Sequence, residues 1–169
     1  MKAMRQSFVV ISFMACFHAA LGFPNGAPVS ACMDLTPKHL KDKAPITPQP
    51  DSTFSYTLET TLVNGGSIGS GDSATIKLSS NFQGFLIEAR QGDSPVGTFD
   101  VLGNDNIQTI DCGSGQKNAI THTNPTVKES ITATWTAPSD FDELHGSVEF
   151  HVTVAETHDT YWVNHVVTI

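Results

Sequence analysis

From Ser52 onward, apolar residues recur at every second position between clusters of Gly, Asn, Asp and Pro. A period of two places successive side chains on opposite sides of an extended backbone, so this stretch predicts strands and excludes amphipathic helices. Phe54, Tyr56 and Leu58 alternate with Ser55, Thr57 and Glu59; Ala74, Ile76 and Leu78 follow a glycine-rich connection at 65–71; Phe85, Ile87 and Ala89 oppose Leu86, Glu88 and Arg90. Shorter strands are expected over 97–102, 107–112 and 119–123. Ile131, Ala133 and Trp135 oppose Thr132, Thr134 and Thr136, and Val148, Phe150, Val152 and Val154 oppose Glu149, His151 and Thr153, the pattern of antiparallel strands with one dry and one wet face. With a last strand over 161–168, this gives about eight or nine strands, and an all-β, immunoglobulin-like antiparallel β-sandwich is the predicted fold.

The first third of the chain reads differently. Lys2 and Arg5 precede an apolar run from Phe8 to Phe17, too short to cross a bilayer, with Ala20 and Gly22 placed for cleavage. Residues 1–22 are therefore expected to be a secretory signal peptide, with residues 23–169 secreted as one domain. Six of the nine prolines fall between Phe23 and Ser52. Proline fixes φ and removes a donor, so residues 23–52 are expected to form an extended lead-in. No transmembrane span is expected after the signal.

Loss of Lys2 and Arg5 takes the formal charge from −8 to −10. A surface this acidic repels phosphate backbones, so nucleic acid is not an expected partner, and contact with anionic headgroups needs a local basic patch or a bridging cation. Cleavage also removes Cys16 and leaves Cys32 and Cys112. In an oxidising compartment these two thiols are expected to form one disulfide, closing a loop worth about 4.5 kcal/mol by chain entropy.

No constellation predicts catalysis. Six histidines remain after residue 22, without the spacing of a zinc site, and the Glu149–His151 pair reads as a strand face. Gly113-Ser114-Gly115 lacks the pattern of a nucleophile elbow and reads as a turn. The chain is expected not to be an enzyme, with no catalytic residues, no metal and no cofactor. Trp135 and Phe85 are expected in the core, and of the adjacent Tyr161 and Trp162 one is expected to face outward, where aromatic stacking on sugars is available.

Several segments, in order, resemble the reeler (reelin-type) domain family: FPNGAPVSAC at 23–32 with Pro37 and His39, FQGFLIEAR at 82–90, a cysteine leading to NAITHT at 118–123, WTAP at 135–138, GSVEF at 146–150 and YWV at 161–163. The resemblance covers nearly all of the chain after the signal. It implies a Cys32–Cys112 bridge and a sandwich core around Phe85, Trp135 and Phe150, and it supplies no ligand-binding residues. A signal followed by one such domain is similar to small secreted insect defence proteins. That implies a role in innate immunity through recognition of microbial polysaccharide or lipopolysaccharide, or of blood-cell surfaces. The alternative is an extracellular adhesion or matrix module that binds a host protein.

Overall fold

The computed structural model describes residues 23–141 and 147–169; the expected signal peptide at 1–22, and His145 and Gly146, lie outside the described residues. Two antiparallel sheets face each other. The four-stranded sheet runs in the order β3 (Thr57–Leu62), β4 (Ser73–Phe82), β10 (Lys128–Thr136), β7 (Thr98–Asp100). The larger sheet runs β12 (Tyr161–Thr168), β11 (Glu149–Ala155), β5 (Gly84–Gln91), β9 (Ala119–His122), β8 (Ile107–Ile110), with β6 (Ser94–Pro95) pairing with β5. A separate two-residue hairpin joins β1 (Leu40–Lys41) to β2 (Ala44–Pro45). The described residues thus hold twelve strands; the two-residue β1, β2 and β6 account for the excess over the expected eight or nine.

The core lies between the sheets because the alternating apolar residues of both converge there. Ile76, Leu78, Ile131 and Trp135 of one sheet meet Ile87, Phe150, Val152 and Trp162 of the other. Trp135 is fully buried against Phe150 at 5.6 Å, and its indole N–H donates to Val96 O at 2.9 Å, so its apolar body is removed from water without an orphaned donor. Each such aromatic contributes about 1.5–3 kcal/mol of burial.

The alternation holds on β10, where Thr132, Thr134 and Thr136 stay partly exposed, and fails on β5 and β11. Residues 84–89 of β5 are all buried, and His151 and Thr153, expected on a wet face, are 9% and 4% exposed. The physical reason is a third layer: residues 23–39 of the lead-in pack on the outer side of the larger sheet, placing Ala31, Cys32 and Leu35 against Leu86, Cys112 and Ala119.

The lead-in is extended only in part. It contains 3-10 turns at Val29–Cys32 and Asp51–Thr53 besides the β1–β2 hairpin. Tyr161 and Trp162 are both buried, against the expectation that one faces water. They do point opposite ways, but Trp162 enters the core while Tyr161 enters the space beneath the lead-in, where its hydroxyl donates to Ile46 O and its carbonyl accepts from Gln49 N at 2.8 Å.

Candidate functional site

The lead-in is fastened by a disulfide and by side chains that satisfy backbone groups an irregular segment cannot pair with itself. Cys32 and Cys112 are joined Sγ to Sγ with Cα atoms 5.6 Å apart. Arg90 donates through Nη2 to Cys32 O at 2.7 Å, and through Nε and Nη2 to Glu88 Oε2 at 2.9 and 2.8 Å. Thr153 Oγ1 donates to Leu35 O at 2.8 Å. Thr121 Oγ1 accepts from Ala27 N at 2.9 Å and donates to Phe85 O at 2.6 Å. Gly26 runs so close to β9 that a Cβ there would lie 2.6 Å from His122 O, and its φ of +116° also favours glycine.

Glu88 is the most deeply buried ionisable group of this layer, with 0% exposure. Burial raises its carboxyl above the usual carboxylate range, opposed by the bonds from Arg90. Its second oxygen lies 3.1 Å from Cys112 Sγ, which carries no proton in the bridge, so any proton in that contact belongs to the carboxyl. Among the described residues, the group of three metal-ligating types that converges within 4.8 Å is Cys32, Glu88 and Cys112. With both sulfurs committed to each other it offers no thiolate.

Where β5 begins and β11 ends, the lead-in does not fill the space beneath it. A cavity of about 240 Å³ remains, walled by Phe23, Pro28 and Leu35 of the lead-in and by Phe85, Leu86 and Ala155 of the sheet. Its polar wall holds three imidazoles, His39, His122 and His158, together with Gln83, Thr153 and Thr157. Among the described residues no Asp or Glu lines it, in a chain with 17 acidic residues.

The histidines are held by their bonding. Phe85 N donates to His122 Nδ1 at 3.3 Å, so Nε2 carries the proton and donates to Phe23 O at 3.0 Å, latching the start of the lead-in to β9. The ring lies flat over Gly84, whose Cβ would approach it to 3.0 Å. Burial lowers His122 below the usual imidazole range, and the charge of Lys128 adds to that effect. His39 donates through Nδ1 to His158 O at 2.7 Å and stacks on the His158 ring at 4.6 Å; burial lowers it too. His158 Nδ1 donates to Asp159 Oδ1 at 2.8 Å, and Asp159 is paired with Lys41 at 2.6 Å.

Residues singled out in the sequence distribute unevenly. Trp135, Trp162, Tyr161, Phe82 and Phe85 are all buried, so none of them forms an exposed stacking platform for sugars. Glu149 pairs with His151 at 3.2 Å, whose other nitrogen bonds Asn164, making a closed polar contact. Gly113-Ser114-Gly115 is a turn, with Gly115 N donating to Cys112 O. Sequence reasoning missed the cavity. Its only trace there was the coincidence of FPNGAPVS, Leu35 and His39 in a segment with no period.

An antiparallel β-sandwich with one face roofed by a disulfide-clamped segment over an apolar, imidazole-rimmed cavity is the class that fold and site define. The Reeler domain model matches residues 30–168, and the chain belongs to the Reeler domain family. A protein of Antheraea mylitta provisionally named defense protein 3 is 35% identical over 159 residues, covering 91% of this chain and 89% of the relative. Defense protein l(2)34Fc of Drosophila melanogaster is 34% identical over 166 residues, covering 94% of this chain and 95% of the relative. The crystal structure of the human F-spondin reeler domain (fragment 2) superposes with a TM-score of 0.54 at 21% identity, covering 69% of this chain and 86% of that one, a likeness in fold.

Proposed function

We propose that this chain is a secreted, non-catalytic recognition protein of innate defence, and that it engages microbial-surface glycolipid of the lipopolysaccharide kind through the cavity beneath the lead-in. The observation that carries this reading is the apolar cavity itself, with no carboxylate among its described wall residues, in a protein similar along nearly its full length to proteins with defence names. Apolar walls with a few convergent polar groups are the usual make-up of a small-ligand site. Burial of the core aromatics shifts the reading away from bare polysaccharide, since stacking on sugars needs an exposed ring. No helix of the described residues is long and apolar enough to cross a membrane. Export by the expected signal at residues 1–22 fits the Cys32–Cys112 bridge, since disulfides persist in oxidising compartments.

Binding of the secreted chain to immobilised lipopolysaccharide, to its deacylated polysaccharide and to other microbial glycans, with and without chelator, tests the proposal. Intact lipopolysaccharide is expected to bind and the deacylated form to bind at least about tenfold more weakly. An Ala155→Phe variant, which puts a ring into the cavity, is expected to lose the difference. Equal binding of both forms, or no binding of either, overturns the reading.

A further inference from the structure

Among the described residues, one buried cation beside the cavity has no counter-ion. Lys128 is 6% exposed, and its Nζ donates to three neutral carbonyls: Gln83 O at 2.9 Å, Asn124 O at 2.8 Å and Thr126 O at 2.8 Å. Among the described residues no carboxylate pairs with it. Buried charges are ordinarily paired, because the low-dielectric interior leaves an isolated one poorly stabilised. Here the ammonium stands directly behind the cavity wall, for Gln83 is a wall residue and so is Pro125 in the loop it binds. Its field reaches the cavity wall, adding to the burial that lowers His122 below the usual imidazole range.

Three further observations narrow the occupant. At about 240 Å³ the cavity exceeds the ~150 Å³ that holds a benzene ring, enough for one hydrocarbon chain of moderate length and not for several. Among the described residues no carboxylate lines it. Asp159, which touches the wall residue His158, is already held by Lys41. A negative head group therefore meets no like charge at the wall and finds an uncompensated positive one, although the protein as a whole is strongly acidic.

We infer that the cavity takes one hydrocarbon chain of an anionic amphiphile, the chain lying between Phe23, Leu35 and Leu86 and the anionic head being drawn by the charge of Lys128. The inference rests on the cavity being the ligand site and adds the charge and chain number of what fills it. Because all three ammonium protons are committed to carbonyls, Lys128 acts through its field and not as a direct donor, so carboxylate and phosphate heads are both accepted.

Calorimetric titration of the secreted chain with decanoate, decyl phosphate and 1-decanol tests this directly, the two anions distinguishing a fatty-acid head from a lipid-phosphate head. At least one anion is expected to bind about tenfold or more tightly than the alcohol at low salt, and to lose that advantage in high salt. Lys128→Met is expected to bring anion and alcohol to similar affinity, and Lys128→Arg to retain the preference. If Lys128→Met does not fold, the wild-type series and its salt dependence still decide. Alcohol binding as tight as both anions overturns the head-group inference and leaves the cavity as a site. Failure of all three to bind, with lipopolysaccharide binding intact in Ala155→Phe, removes the cavity from both readings.

Discussion

The outer sides of the two sheets carry the same kind of sequence and live in different solvents. On the four-stranded sheet, Thr132, Thr134 and the pair Lys77–Glu59 stand partly or largely in water, and that ion pair sits at 3.5 Å with about half of each side chain exposed. On the larger sheet, Glu88, Thr121, His151 and Thr153 occupy equivalent outward positions and are 0%, 0%, 9% and 4% exposed. The difference is the lead-in. A proline-rich segment with little regular structure brings unpaired carbonyls and N–H groups against the sheet, and a purely apolar face would leave them without partners. Polar residues on a strand face therefore have two meanings, solvation or service to a covering layer, and the alternation alone does not separate them.

The strongest test of that contrast is a pair of charge deletions. Arg90→Ala strands Glu88 and the Cys32 carbonyl in the buried layer and is expected to destabilise by about 3–5 kcal/mol. Lys77→Ala removes an equally regular ion pair from the open face and is expected to change stability by less than about 1 kcal/mol. Chemical denaturation of the two variants gives the comparison, and similar losses would break it.

A finer test uses threonines. Thr153→Val keeps the shape but orphans Leu35 O and removes an acceptor for Asn164 N, for an expected loss of about 1–3 kcal/mol. Thr132→Val on β10 is expected to stay within about 0.5 kcal/mol of wild type. Amide hydrogen exchange of residues 23–39 adds a local readout: protection there is expected to fall in Thr153→Val and not in Thr132→Val.

The smallest expected effect concerns pH. His39 and His122 are held below the usual imidazole range by burial under the lead-in, so the unfolded chain takes up protons before the folded one does. Stability is fully present above the unfolded value near about pH 6.5 and falls as pH drops toward the lowered folded values. The slope is at most about 1.4 kcal/mol per pH unit for each histidine. His122→Gln is expected to reduce that slope, measured as the denaturation midpoint across the window. An unchanged slope would show that the latch to Phe23 does not titrate with unfolding.

Much of the fold was legible because strand formation is local. The period of two over 131–136 and 148–154, and the turn chemistry between strands, depend on neighbours a few residues apart, and the last strand falls over 161–168 as read. Strand starts were less legible: Phe54 and Tyr56 alternate like strand residues yet precede β3, Phe54 N closing the 3-10 turn onto Asp51 O while both rings pack on Trp162. The candidate site was barely legible. Its wall is assembled from residues near 23–39, 83–86, 122–125 and 153–158, and no sequence window contains more than one of these pieces.

By itself the sequence determined an all-β chain, a proline-rich lead-in and two cysteines available to tie the lead-in down. Those are properties of backbone preference and composition. Only the tertiary structure decided that the lead-in lies on the outer side of the larger sheet, that Arg90, Thr121 and Thr153 serve its backbone instead of water, and that a cavity with Lys128 behind its wall remains beneath it. Burial and charge pairing are set by what packs against a residue from far along the chain. Alternation fixes which side of a strand a residue takes, but not what covers that side.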